Sequence, residues 1–204
     1  MTLLIIKLKL PKIMKNPCLS IFPCLVLAIA ALVGCSPSEE VSKAAPKPAP
    51  PSVGLHEAVV LGSVDLVSQH VAAGSDLNVR DPNPEGNLST PLMVAALFGE
   101  QEIVKILIDA GAEVNIQDKD GGTALHGAAF LGYPQILKDL LAAGANRDIR
   151  NNSGATALES VQAPWAMVAP IYQFLQGIIF KPLGREIDIQ DIQAKRPEIV
   201  ELLK

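Results

Sequence analysis

Cysteine is nearly absent from this chain of 204 residues: the three present are Cys18, Cys24 and Cys35, and none follows. Everything after residue 35 therefore lacks the means for an internal disulfide or a thiolate metal site. Residues 1–35 hold four lysines and no acidic residue, which leaves 13 basic against 21 acidic side chains in the remainder, a net charge of about −8. That balance argues against nucleic acid as a partner, because binding it rests on a surplus of Lys and Arg facing phosphates. Aromatic residues number only eight, and half of them (Trp165, Tyr172, Phe174, Phe180) fall within one short stretch. A bilayer-spanning run is missing too, since the apolar run from Ile21 to Val33 is shorter than the roughly 20 residues needed.

What that first segment does contain is lysines followed by the apolar run, the pattern of a secretory signal that is removed from the mature chain. Met14-Lys15-Asn16 is a more ordinary start for such a signal than Met1. The run closes on Leu32-Val33-Gly34-Cys35, which resembles the lipobox of bacterial lipoproteins. The resemblance implies that Cys35 is lipidated and becomes the first mature residue; the alternative is an ordinary signal or anchor in which Cys35 is incidental. Ser36 to Ser52 is polar and Pro-rich, a tether reaching up to roughly 50 Å in the extended limit. Ser36, rather than Asp, directly after Cys35 resembles lipoproteins sorted to an outer membrane.

The rest is periodic. Thr90-Pro91-Leu92-Met93-Val94-Ala95-Ala96, Thr123-Ala124-Leu125-His126-Gly127-Ala128-Ala129 and Thr156-Ala157-Leu158-Glu159 begin 33 residues apart. Ile103-Val104-Lys105-Ile106-Leu107 running into Ala110-Gly111-Ala112 is echoed by Ile136-Leu137-Lys138-Asp139-Leu140 running into Ala143-Gly144-Ala145, and a diverged earlier copy starts at Leu55. The threonines suit helix N-caps, with Pro91 at a first-turn position where no donor is missed. Gly99 and Gly132 suit the left-handed residue that ends a helix. Apolar residues at three- and four-residue spacing between these stops leave faces that one helix pair cannot bury alone, so neighbouring pairs must stack.

The 33-residue spacing and the Thr-Pro-Leu-x-x-Ala-Ala opening resemble the ankyrin repeat. The resemblance implies an all-α repeat solenoid of about four repeats, helix-turn-helix pairs joined by β-hairpin loops. The chain then divides into 1–34, the signal peptide; 35–52, the lipidated Cys35 and tether; and 53–204, the repeat domain. The repeats fall at about 53–80, 81–117, 118–150 and 151–204.

The last repeat is interrupted. Glu102 lies 12 residues after Thr90, whereas Glu198 in the matching Arg196-Pro197-Glu198-Ile199-Val200 lies 42 after Thr156, so about 30 extra residues sit near 162–192. Its aromatics argue for a folded segment: a C-terminal cap over the last repeat's apolar face, or a ligand pocket.

No Ser-His-Asp set, phosphate loop or metal-ligand spacing stands out, so no catalytic residue, metal site or cofactor is expected. His56 and His126 occupy equivalent repeat positions, which argues for structural bonding between neighbours. By resemblance, the chain is a non-catalytic module of the bacterial cell envelope, periplasm-facing at the outer membrane and held to the bilayer through Cys35. It would bind a protein partner. The contact positions so implied are Lys119, Asp120 and Asn152 at the hairpin tips and Leu97, Phe98, Phe130 and Leu131 on the concave face; packing between repeats is the alternative for the apolar four. A small-ligand or envelope-polymer binding protein with a pocket at the aromatic insertion is the second functional reading.

Overall fold

Helix pairs follow one another at the spacing the threonines set. The computed structural model describes residues 47–83 and 86–204, so Cys35, the signal and most of the tether lie outside the described residues. The paired helices are α1 (Leu55–Val60) with α2 (Val64–Ala73), α3 (Pro91–Phe98) with α4 (Gln101–Asp109), and α5 (Ala124–Phe130) with α6 (Pro134–Ala142). After α7 (Ala157–Gln162) come α8 (Trp165–Leu175), a π-turn over Gln176–Phe180, a 3-10 turn over Lys181–Leu183, and α9 (Ile189–Leu203).

Helices α1, α3, α5 and α7 pack side by side as one layer, and α2, α4, α6 and α9 form the second. Small residues make the first layer tight: Ala58, Ala95, Ala96, Ala128 and Ala129 are all sealed from solvent. The second layer is aliphatic, α4 burying Ile103, Val104 and Leu107 while Lys105 on the same helix is exposed. Burying one such Leu contributes about 2 kcal/mol. An all-α repeat solenoid is thus the fold. The loops between pairs turn back on themselves, as where Asp118 N–H donates to the Gly122 carbonyl at 2.8 Å, yet no strand forms among the described residues.

Local chemistry starts and stops the helices. Thr90 and Thr156 accept the amides of Met93 (3.4 Å) and Glu159 (3.2 Å) at their hydroxyls. Gly99 closes α3 with φ of +73°, and a Cβ there would lie 2.8 Å from the Tyr133 ring.

Helix α9 explains the interrupted repeat. Its second half, Pro197-Glu198-Ile199-Val200, carries the pattern of Pro134-Gln135-Ile136-Leu137 at the start of α6, and it packs on α6 and α7 with Ile199 and Leu203 buried. Unlike α6, α9 begins two turns earlier, at Asp188, whose carboxylate accepts the amides of Gln190 (2.9 Å) and Asp191 (3.0 Å).

The segment between α7 and α9, residues 163–188, does not cap the last repeat's outer face; α9, as that repeat's second helix, packs on α6 and α7. It runs instead as a strap across the C-terminal ends of the first-layer helices. Tyr172, Phe180, Val168 and Ile192 form a second small core there with Leu131. At the strap's far end Arg185 donates to the Val60 carbonyl of α1 at 2.9 Å and pairs with Glu100 at 2.6 Å.

Candidate functional site

Two surfaces matter: the concave face on the first-layer helices, and the row of loop tips. The concave face is occupied by the chain itself. Phe130 stacks on Tyr172 with centroids 4.6 Å apart, and Tyr172 stacks in turn on Trp165 at 5.5 Å. Phe98 meets the edge of Phe180 at 5.5 Å, with the Arg185 guanidinium 5.0 Å over its ring. Leu131 is 1% exposed, and Leu97 is a half-buried neighbour of the same core. The apolar strip expected to stand open at Leu97, Phe98, Phe130 and Leu131 is therefore packed against the strap, which buries Leu131 and leaves Leu97, Phe98 and Phe130 half-buried. No local pattern in the sequence ties residues 42 apart, as Phe130 and Tyr172 are, so periodicity alone leaves the strip looking vacant.

The loop tips are open, and they are stitched together. Asn87 donates its side-chain amide to Asp118 (3.1 Å) and Asp120 (2.9 Å), while the Lys119 amide returns a bond to the Asn87 carbonyl (3.0 Å). One repeat on, Asn152 donates its side-chain amide to the Lys119 carbonyl (2.9 Å) and its backbone amide to the Asp120 carbonyl (2.8 Å). The side chains of Lys119, Asp120 and Asn152 stand exposed along this ridge.

Beneath the tips lies a second row that spacing alone does not reveal. Arg80 donates to the Leu88 (3.0 Å) and Gln117 (2.8 Å) carbonyls, and Gln117 donates to the Gly121 (2.9 Å) and Arg150 (3.1 Å) carbonyls. Each holds its own tip and the next repeat's chain. Arg150 ends the series on Glu159 at 2.6 Å; the Thr156 amide and then Arg150 hold that exposed carboxyl below its ordinary value.

The titratable groups in the stack serve packing. Burial pushes His126 below the ordinary histidine value; its Nδ1 accepts the Thr123 hydroxyl at 2.9 Å and its Nε2 donates to the Ala155 carbonyl at 3.3 Å. His56 donates likewise to the next repeat's Ser89 carbonyl at 2.9 Å. His70 donates to the Val53 carbonyl (2.8 Å) and accepts the Ser75 hydroxyl (2.9 Å). Burial raises Asp118, opposed by the Gly122 and Asp120 amides. No cluster of three or more His, Cys, Asp or Glu with metal-binding geometry occurs among the described residues.

Beside the aromatic insertion an open cleft of about 570 Å³ is lined by Val161, Trp165, Gln193, Arg196, Val200 and Glu201 among others. Arg196 Nη2 donates to the Val161 and Ala163 carbonyls and the guanidinium lies 5.5 Å over the Trp165 ring, while its Nη1 is buried with no hydrogen-bond partner.

A family profile of ankyrin repeats, in three copies, matches residues 55–158. The chain belongs to the ankyrin-repeat family. An ankyrin repeat-containing protein of Schizosaccharomyces pombe is 36% identical over 64 residues, 31% of this chain and 29% of that protein. The human DNA-binding protein RFXANK is 35% identical over 74 residues, 36% of this chain and 27% of that protein. The mouse fibronectin type 3 and ankyrin repeat domains 1 protein is 60% identical over 37 residues, 18% of this chain and 11% of that protein. The chain thus spans less than a third of the length of each of these ankyrin-repeat relatives. Ankyrin repeats are in general non-catalytic protein-interaction units, and this chain carries that unit.

Proposed function

We propose that the chain is a membrane-anchored protein-interaction module of a bacterial cell envelope. It is lipidated at Cys35, faces the periplasm at the outer membrane, and binds a protein partner through the tip ridge. The observation that carries the partner reading is the ridge itself. Asn87, Lys119, Asp120 and Asn152 are bonded tip to tip, so the exposed polar groups are held in place before a partner arrives, and preorganised groups lose little freedom on binding. The concave strip is engaged within the chain, which favours the tips over Phe98 and Phe130 as the contact surface. Anchoring rests on Leu32-Val33-Gly34-Cys35 and the Pro-rich tether after it, and the acidic balance speaks against nucleic acid.

Two measurements test the reading. Labelled palmitate should enter the wild-type chain and not Cys35→Ser; a wild-type chain that stays unlabelled and fractionates as soluble removes the anchor. A polypeptide captured from solubilised envelopes should be lost with a Lys119→Glu/Asp120→Lys/Asn152→Ala variant that melts like wild type. Capture unchanged by that variant rules the ridge out.

A further inference from the structure

The strap has two faces, and the stack uses only one. From Ala163 to Phe180 there are 18 consecutive residues without a charge. Val168, Tyr172 and Phe180 point into the stack and are buried. Met167, Ile171, Phe174 and Ile178 follow one another at four-, three- and four-residue steps along the opposite face, and they are 69%, 45%, 63% and 53% exposed, with Leu183 beyond them at 46%. These five are most of the eight large apolar side chains that stand exposed among the described residues. The other exposed positions from Ala163 to Phe180 are Pro164, Ala166, Pro170, Gln173 and Gly177, so Gln173 is the one exposed polar side chain of this stretch before Lys181.

We infer that the outer face of the strap rests on a lipid bilayer surface. The face follows a single helical path, with one exposed amide side chain along its length to orient a protein partner. Protein interfaces carry a polar rim and about one hydrogen bond per 100–200 Å², which this ridge is poorly furnished to supply. Hydrocarbon asks only for apolar area, and an amphipathic helix lying in the interface plane supplies it. Lys181, exposed one turn beyond Ile178, is placed to keep its ammonium among headgroups while its stem lies along the apolar face. The chain preceding the domain supplies the encounter: 17 residues, Ser36 to Ser52, separate it from Cys35. On the anchoring reading, on which this inference rests, that tether holds the start of the repeat domain within roughly 50 Å of the membrane, so that even weak partition of the ridge becomes effectively intramolecular.

The test places a fluorescent reporter on the ridge. Trp165 is the only tryptophan, so Trp165→Phe with Phe174→Trp leaves one reporter on the outer face, and Trp165→Phe with Lys119→Trp leaves one on the tips. The full lipidated chain is reconstituted in vesicles of phosphatidylethanolamine and phosphatidylglycerol bearing nitroxide-labelled acyl chains. Emission at position 174 should be quenched severalfold, and emission at 119 should not. In a Cys35→Ser background, Met167→Ser/Phe174→Ser should reduce vesicle partition by roughly tenfold or more, since each side chain withdraws a large apolar group. An acylated chain that is unquenched at 174 overturns the ridge proposal and leaves the anchor standing. If mass spectrometry finds no acyl group, the anchor fails, and quenching at 174 by the unacylated chain alone decides for or against the ridge. An unquenched chain that light scattering finds dimeric, and monomeric as Met167→Ser/Phe174→Ser, overturns the proposal in favour of a self-interface.

Discussion

Tyr172 donates its phenol to the Phe130 carbonyl at 2.7 Å while its ring stacks on the Phe130 ring. One side chain thus caps the end of α5 and fills the concave strip. Tyr172→Phe keeps the stacking and leaves a carbonyl without its donor, so it should destabilise the domain by about 1–2 kcal/mol. A denaturant melt beside wild type checks this, and an unchanged midpoint would mean the phenol is not needed there.

Truncating the covered aromatics should be felt in folding first. Phe98→Ser and Phe130→Ser each open a void between the first layer and the strap, at a cost on the order of 3 kcal/mol. If instead both variants melt like wild type but lose a captured partner, the strip is a binding surface after all.

Gly99→Ala tests the helix stop. It forces a side chain onto a left-handed backbone and brings a Cβ to within 2.8 Å of Tyr133, so stability should fall by at least about 1 kcal/mol. Thermal melts give the answer, and a neutral outcome would show that the turn can re-form around the methyl group.

His126 should make stability depend on pH. Its folded value is lowered from 6.5 by burial, so the unfolded chain takes up a proton at a higher pH than the folded one does. Stability is therefore fully present above about pH 6.5 and is lost as pH falls below it towards the depressed folded value. In repeat two the equivalent position is Met93, whose sulfur accepts the Thr90 amide at 3.4 Å. His126→Met should flatten the slope between pH 7.5 and 5.5 in urea melts, and a slope that survives assigns the effect to another group.

Removing the chain after Ser160 strips α8 and α9 and uncovers Leu131, Leu137 and Leu140 at the end of repeat three. The shortened chain should aggregate or melt well below the full domain; equal melting would assign α9 no part in closing the stack.

The sequence showed its local rules more plainly than its long-range path. Thr90, Thr156 and Gly99 act within one turn of themselves, so threonine spacing and glycine position mark the helices that form. Glu198, Ile199 and Val200 were recognisable because they repeat Glu102-Ile103-Val104 of α4. The strap's course was not recognisable: an uncharged aromatic stretch predicts burial of one face without saying against what. Arg185 reaches its partner Val60 across 125 positions, and nothing in its neighbours hints at that pairing. The tip ridge lay between these extremes, since the asparagines marked the turns while their bonds to the next repeat depended on the stacking itself.

That reach has a thermodynamic consequence. A solenoid whose units touch only their neighbours can fray from either end, one unit at a time, with little penalty felt by the rest. Here the Arg185 guanidinium joins the first unit to a segment threaded between the two halves of the last, so opening either end disturbs the other. The array should lose its graded edges and unfold as one cooperative body, with amides in α1 and α9 exchanging at matched rates instead of leading the rest.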